Sequence, residues 1–385
     1  MVTSAVMAPD VLSTPDTSSV QGPYVDVKRR GMGRRFADEG SLENPDDMAA
    51  IRNFWYPVHF ESKLMKGGEG EASFELFGEE WELIKATGET LETAKAGVAA
   101  YSQDPSGDWT NLDGWVCRSK AVTEAGTPVS HLPIGLQDGL VMVWPGTCKP
   151  EAKLPTTFKP PEGYTVHAEL IIEEVPVEHG LLMENLLDLA HAPFTHTGTF
   201  AKGWGVPNFV EFVTSKMRKP GDGWHDMATG LKGLGSQQGS WNPYPIDMKF
   251  VTPCMVDSHI GMSQAGAAGG GAQFEEGVQC LECANHLHQL HVCCPSKPGR
   301  TRLLYRMSLD FAGWAKFVPG IELVWTEMAN QVLGEDLRLV TGQQDRMARG
   351  GRVWAHPVAY DKLGLVYRRW RNMVVDGETC EIDAK

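Results

Sequence analysis

The chain has 385 residues, of which 42% are hydrophobic and 22% are charged, a balance typical of a soluble globular protein with two or three domains. Its formal net charge of −14 argues against a nucleic-acid partner, because phosphate binding requires a positive face. No apolar run approaches the about 18 residues of a transmembrane helix, and eight cysteines in so long a chain do not indicate a disulfide framework.

The order of strand-like and helix-like segments predicts a two-domain α+β fold. Residues 1–45 are expected to form a disordered or extended arm, 46–146 a β domain, 147–164 a linker, and 165–385 a second domain whose antiparallel sheet is covered by helices. The main predicted elements, in chain order, are strands at Phe54–Val58, Ser73–Phe77, Glu80–Ile84, Val141–Trp144 and Thr165–Val175, a helix from about Glu178, strands at Pro245–Val256, Ala284–Cys293 and Arg302–Phe311, and a long helix at Ile321–Arg346.

The helix that follows Glu178 carries a group of polar side chains at regular spacing. Asn185, Asp188 and His191 are three residues apart, which on a continuous helix places them on one face. Pro193 should break the helix and let His196 turn back toward His191. Two imidazoles that converge beside a carboxylate predict a metal site; the alternative is a pair of hydrogen-bonded histidines in the core or on the surface.

The late helix offers a third ligand in either Glu335 or Asp336. Asp336 shares an apolar stripe with Val332 and Val340, where an unpaired carboxylate would be costly. Glu335 is expected to be solvated on the face of Arg338, so that its loss would leave most of the metal bound. We therefore choose Asp336; the alternative is a buried acid bonded to neighbouring amides. Two histidines and one carboxylate form the facial triad of non-haem Fe(II) oxygenases, with zinc as the main rival metal.

A second group of possible ligands lies on a later strand. His286, His288 and His291, with Cys280 and Cys283 nearby, could bind another metal ion. On a strand, however, His286 and His288 share one face while His291 points to the other. We favour side chains of the core or of a pocket.

The motif Asn185-x-x-Asp188-x-x-His191-x-x-x-x-His196 resembles the mononuclear-iron motif of Rieske oxygenases. The segments 184–197, 241–248, 286–293, 301–311, 335–340 and 357–364 are similar to one branch of that family, the chlorophyllide a oxygenases. The resemblance implies that His191, His196 and Asp336 bind Fe(II), and it makes Asn185 and Asp188 catalytic candidates. It also implies that Asp188 passes electrons from the cluster of a neighbouring subunit to the iron site.

The same resemblance implies an activity and a location. Such enzymes oxidise the ring-B methyl group of chlorophyllide a (or chlorophyll a) to a formyl group by two successive hydroxylations, in the chloroplast stroma or at the thylakoid surface, with ferredoxin as the electron source. Two alternatives remain: an oxygenase for another tetrapyrrole such as pheophorbide a, and a non-catalytic subunit that stabilises a partner.

The first domain departs from the family pattern. A Rieske [2Fe–2S] cluster requires Cys-x-His and Cys-x-x-His, but Cys117 is the single cysteine of 46–146, and Cys283-x-x-His286 lies in the second domain. Asn53–Val58, Phe74–Gly78 and Leu140–Gly146 nevertheless resemble the shell of a Rieske domain. We therefore expect a Rieske-like domain without its cluster, in a trimer-based hetero-oligomer with a homologous subunit that bears the [2Fe–2S] cluster.

Overall fold

The computed structural model describes most of the chain from residue 50 onward. The described residues are 50–66, 71–98, 114–147, 150, 158–199, 201, 211–214, 236–242, 246–262, 280, 283–351, 357–358 and 361–375. The predicted arm at 1–45 lies outside the described residues.

Two small antiparallel sheets form the first part of the structure, in the strand orders β1-β7-β6 and β2-β3-β4-β5. Two hairpins, β2–β3 and β6–β7, turn through two residues with positive φ, Phe77-Gly78 and Asp138-Gly139. Such turns match the twist of antiparallel strands. The elements are β1 (Tyr56–Phe60), α1 (Glu61–Lys66), β2 (Glu71–Leu76), β3 (Glu79–Lys85), α2 (Gly88–Val98), β4 (Trp115–Ser119), β5 (His131–Leu132), β6 (Ile134–Gln137) and β7 (Leu140–Val143).

A seven-stranded antiparallel sheet forms the second part, in the order β8-β14-β13-β12-β11-β10-β9. Its strands are β8 (Thr165–Val175), β9 (Glu211–Thr214), β10 (Ser236–Asn242), β11 (Ile246–Val251), β12 (Met255–Met262), β13 (Asn285–Pro295) and β14 (Thr301–Leu309). The helices are α3 (His179–Leu187), α4 (Ala192–Thr195), α5 (Ile321–Ala348) and α6 (Lys362–Val375). All described strand pairs are antiparallel, so the predicted α+β fold is confirmed.

The large sheet packs on different elements with its two faces. The Arg302 and Arg306 guanidinium groups on β14 donate to the main-chain oxygens of Val58 and Asp138 in the small sheets. The alternate residues Tyr305 and Met307 belong to an apolar cluster that includes side chains of α5. We call these the small-sheet face and the helix face.

One buried apolar cluster contains side chains of both predicted domains, from Ile51 to Val374. The boundaries at 46–146, 147–164 and 165–385 therefore remain predictions. Among the described residues, no helix is both long enough and apolar enough to cross a bilayer.

Some predicted elements differ from the observed ones. The single strand predicted at Pro245–Val256 is wrong, because β11 ends at Val251 and β12 begins at Met255, antiparallel to β11. Pro253 lies in the turn between them, and proline lacks the N–H that would continue a ladder. The helices α2 and α6 have no counterpart among the predicted elements.

Two buried ion pairs connect α6 with α3 and the residue before it. The Arg368 side chain donates through Nε to Glu184 Oε1 at 2.6 Å, and Arg371 Nη1 donates to Glu178 Oε1 at 2.9 Å. All four residues are buried. Because a charge buried without its partner is costly, these pairs hold α3 in one position relative to α6.

We expect the substitution Arg368→Met to lower the free energy of unfolding by about 3–5 kcal/mol, since it leaves Glu184 buried without this cation. Chemical denaturation monitored by circular dichroism measures the change. The double variant Glu184→Leu/Arg368→Met, which removes both charges, should recover most of the loss. A single variant as stable as the parent protein would show that the pair does not constrain α3.

Candidate metal centre

The helix α3 ends before the first predicted site carboxylate. Asp188 is extended, with φ −107° and ψ 99°, so the prediction that Asn185, Asp188 and His191 lie on one continuous helix is wrong. Asp188 Oδ1 instead accepts a hydrogen bond from the Ala190 amide at 2.9 Å and caps a 3₁₀ turn at Leu189–His191. The short aspartate side chain competes with helical hydrogen bonds and therefore favours such a cap.

Pro193 begins a new helix and does not break α3. It lies in the first turn of α4, where the missing proline N–H has no helical partner to lose. The His196 amide ends α4 by donating to the Ala192 carbonyl at 2.9 Å. The 3₁₀ turn and α4 together bring His191 and His196 to one point.

The structure brings the three predicted ligands together. His191 Nε2 lies 3.2 Å from His196 Nε2 and 3.2 Å from Asp336 Oδ1. His196 Nε2 lies 3.0 Å from the same Asp336 oxygen. His196 and Asp336 are buried, and His191 is partly buried.

Oxygen acceptors hold the other ring nitrogen of each histidine. His191 Nδ1 contacts the main-chain oxygen of Asp188, and His196 Nδ1 lies 3.0 Å from Glu335 Oε2. A carbonyl or carboxylate oxygen only accepts hydrogen bonds, so we assign the ring proton to Nδ1 in both cases. Each Nε2 then presents a lone pair, and three lone pairs face one another at 3.0–3.2 Å. Such a group requires a cation between its members.

The spacing of the three atoms fits a facial set of ligands. With metal–ligand bonds of about 2.1 Å, donors at right angles lie about 3.0 Å apart, whereas donors at a tetrahedral angle lie about 3.4 Å apart. The observed 3.0–3.2 Å is nearer the first value. A facial set leaves coordination positions open for other ligands, as in non-haem iron oxygenases.

The electrostatics of the group also favour positive charge. Burial by itself would raise the pKa of Asp336, but the His191 and His196 rings, which donate to this carboxylate when their Nε2 atoms are protonated, outweigh burial and hold the pKa well below its usual range. Burial would lower the pKa of His191, yet the contacts with Asp336 and Asp188 raise it above its usual value. The group therefore takes up either protons or a metal ion, and metal binding must release protons.

The remaining two predicted site residues have different positions around this group. Asn185 Nδ2 donates to Asp336 Oδ1 at 3.0 Å and so orients that carboxylate. The Asp188 side chain is 39% exposed, and its Oδ2 lies 4.0 Å from His191 Nδ1. The main chain of Asp188 thus holds His191, while its side chain is partly exposed.

The structure overturns the prediction that Glu335 is solvated. Glu335 is only 7% exposed, and besides contacting His196 it accepts a hydrogen bond from Thr199 Oγ1 at 2.6 Å. A Cβ atom on Gly198 would lie 2.6 Å from Glu335 Oε1, so a larger residue there would require the Glu335 carboxylate to move. The segment after His196 covers this side of α5, and helical periodicity alone does not reveal that cover.

A different group of possible ligands, which shares only His288 with the group predicted on the later strand, lies on the small-sheet face. Asp257, His259 and His288 offer ligand atoms within 4.8 Å of one another. Lys249 Nζ, however, lies 2.9 Å from Asp257 Oδ2, and His288 Nε2 lies 3.1 Å from Asp257 Oδ1. The lysine already neutralises the carboxylate, so this group has less need of a metal ion than the first.

Cys117 lies in the core of the first part of the structure. It is 1% exposed, and burial raises the pKa of its thiol well above the usual value. A metal-ligating thiol must instead lose its proton readily. Cys117 has the surroundings of a core residue.

The sequence comparisons find similarity to proteins named as pheophorbide a and chlorophyllide a oxygenases. A family model described as pheophorbide a oxygenase matches residues 250–354. Over 353 residues the chain is 47% identical to the protein named chlorophyllide a oxygenase, chloroplastic, of Chlamydomonas reinhardtii, a match that covers 87% of this chain and 50% of that protein. The chain thus spans about half the length of this curated relative.

The structural comparisons show a shared fold. Dicamba monooxygenase bound to 3,6-dichlorosalicylic acid superimposes with a TM-score of 0.54 at 15% identity, covering 87% of this chain and 99% of that chain. An oxygenase from an oxygenase–ferredoxin complex of carbazole 1,9a-dioxygenase superimposes with a TM-score of 0.52 at 13% identity, covering 87% and 92%.

We expect His191→Ala, His196→Ala and Asp336→Ala each to abolish Fe(II) binding, because each removes one of the three converging atoms. Titration of the purified protein with Fe(II) under anaerobic conditions measures the affinity. Asp345→Ala, on an exposed part of α5, is the matched control and should bind normally.

The Glu335→Ala variant should weaken Fe(II) binding by about 10–100-fold, since His196 loses the carboxylate that orients its ring. Glu335→Gln retains an oxygen that can accept from His196 Nδ1 and should lose much less. Equal affinities for the alanine variant and the parent protein would show that Glu335 does not position the ligand.

Proposed function

We propose, from the premise that this chain is a homologue of the chlorophyllide a oxygenases, that it is the iron-bearing subunit of an oxygenase that converts the ring-B methyl group of chlorophyllide a to a formyl group. The observation that carries the proposal is the convergence of His191 Nε2, His196 Nε2 and Asp336 Oδ1. The Nδ1 atom of each histidine contacts an oxygen acceptor, which leaves the Nε2 atoms free to bind a metal ion. The relative is named as chloroplastic, and we place this chain in the chloroplast.

The residues of the site would hold Fe(II) and keep it in one geometry. When bound at such a triad, Fe(II) supplies the activation of dioxygen. His191, His196 and Asp336 would be its protein ligands, and Asn185 would hold the Asp336 carboxylate in position. Glu335 and the Asp188 carbonyl would keep the Nε2 lone pairs directed at the iron.

The proposed reaction requires electrons from outside the site. Each hydroxylation consumes one O2, two electrons and two protons; it forms one C–O bond and releases one water. The first gives a hydroxymethyl group and the second a geminal diol, which loses water to become the formyl group. Two turnovers therefore need four electrons.

We infer that a second subunit delivers these electrons. The pattern of a Rieske cluster is missing from the sequence, and the Asp188 side chain is partly exposed beside His191. A homologous subunit with a [2Fe–2S] cluster, reduced by ferredoxin, would place a cluster ligand against Asp188 in a trimer-based hetero-oligomer. A superimposable oxygenase is known in complex with a ferredoxin, which supports this electron source.

A second candidate substrate is pheophorbide a, favoured by the family model that matches residues 250–354. In that case the same iron site would oxygenate the macrocycle itself. The site argues against a purely stabilising role. Glu335, Asn185 and the Asp188 carbonyl orient the side chains of His196, Asp336 and His191, and a subunit that binds no metal would not need those side chains to be oriented.

We expect the reconstituted complex, supplied with reductant, dioxygen and chlorophyllide a, to accumulate a hydroxymethyl pigment and then the formyl product. Chromatography with mass detection distinguishes the two. The His196→Ala complex is the control and should form neither. Opening of the pheophorbide macrocycle, with chlorophyllide a unchanged, would favour the second candidate.

We expect the chain alone to be inactive with reduced ferredoxin and to turn over once the cluster-bearing subunit is added. Asp188→Asn should retain iron and assembly yet lose nearly all turnover, because it keeps the main-chain contact with His191 and removes the negative charge of the side chain. Iron analysis, sizing chromatography and product formation separate these effects. Full activity of the isolated chain, or of the Asp188→Asn complex, would contradict electron delivery by a second subunit through Asp188.

A further inference from the structure

The helix face of the large sheet carries a small apolar cluster that is separate from the main core. Three buried residues form its centre, namely Ala168 on β8 and Tyr305 and Met307 on β14. Leu170, Leu287, Trp325 and Ala329 pack around them and are only partly buried. We call this group the pocket wall. Its side chains are apolar or aromatic, and four of the seven are only partly buried, so the cluster offers an apolar surface to a ligand.

Two polar side chains at one end of the pocket wall have no hydrogen-bond partner among the described residues. His167 on β8 is 7% exposed, and both of its ring nitrogens are buried and unpaired. Trp325 Nε1 on α5 is likewise buried and unpaired. The two rings lie against each other, with centroids 5.9 Å apart at 72°. Buried polar atoms are nearly always hydrogen-bonded, so this pair requires an explanation.

The position of the pair relative to the proposed iron site follows from α5. Trp325 and Asp336 lie on the same side of this helix, since eleven residues complete about three turns and span about 16 Å. Ala329 lies between them on the same side and belongs to the pocket wall. The unpaired nitrogens therefore lie at the opposite end of the wall from the three converging ligands.

The chemistry of this end suits an anionic group. The Trp325 indole can only donate, and a neutral His167 has one N–H to donate. Burial lowers the pKa of His167, and the nearby Lys316 lowers it further, so Lys316 contributes positive charge at this end. Two N–H donors beside a cation match a carboxylate, which accepts several hydrogen bonds.

We propose that His167 and Trp325 bind the free propionate of the pigment, at the edge of the macrocycle opposite the methyl group that is oxidised. The inference rests on the proposed function. Ring D of a chlorophyllide carries the propionate and lies across the macrocycle from ring B. With the ring-B methyl group at the iron ligands, the flat ring system lies along the pocket wall and its carboxylate reaches the unpaired donors. The site thus selects the free acid over its ester.

Equilibrium binding tests this assignment without turnover. Chlorophyllide a and its propionate methyl ester are titrated into the full complex, and pigment absorbance is followed. The parent protein should bind the acid at least tenfold more tightly than the ester, as expected for charge-assisted hydrogen bonds. Trp325→Phe removes one N–H but keeps the ring, and should cut the preference by about tenfold.

His167→Leu should also reduce the preference for the acid, and His167→Gln, which restores a donor, should recover part of it. Val166→Ala, at the neighbouring and exposed position of β8, is the matched control and should leave both affinities unchanged. The Trp325→Phe and His167→Leu variants should keep their Fe(II) affinity, because neither residue contacts a ligand of the metal centre.

Three results would overturn the inference. Equal binding of acid and ester by the parent protein excludes selection for the carboxylate. An equal loss for both pigments in Trp325→Phe means that the donors bind a group that acid and ester share. An unchanged preference in both His167→Leu and Trp325→Phe places the carboxylate elsewhere. Failure of the parent protein to bind either pigment would instead contradict the proposed function on which the inference rests.

Discussion

The contact on which the proposed chemistry depends is the approach of three lone pairs without a proton between them. His191 Nε2, His196 Nε2 and Asp336 Oδ1 come within 3.2 Å of one another because acceptors hold both Nδ1 protons on the far side of the rings. A metal ion turns this repulsive arrangement into a stable one. The parts of the fold around it serve to keep these three atoms in place.

That placement has a local and a long-range component. Locally, Asp188 ends α3, and the short turns after it direct both imidazoles to one point. Over a longer range, α5 brings Asp336 to the same point, and Asn185 joins the two helices by donating to its carboxylate. The ion pairs with α6 then hold α3 itself in position.

The large sheet separates two kinds of contact. On its small-sheet face, Arg302 and Arg306 bind main-chain oxygens of the first part of the chain, as expected for a structural interface. On its helix face, strand residues of the pocket wall pack against Trp325 and Ala329 of α5, the helix that also carries the proposed ligand Asp336. Strand alternation therefore separates this structural interface from the face on which we propose that the pigment binds.

The sequence by itself determined the α+β class, the bounds of β8 and the course of α5, since hydrophobic period and length are local properties. It also indicated His191, His196 and Asp336, whose residue types and spacing suit a metal. Only the tertiary structure decided the burial of Glu335. Helical periodicity alone places this residue on a solvated side of α5, but the segment 196–199 covers that side. The end of α3 at Asp188 was also decided only in the structure. There the Asp188 side chain accepts a hydrogen bond from the Ala190 amide in competition with the hydrogen bonds of a continuing helix, and residue spacing does not show which of the two forms.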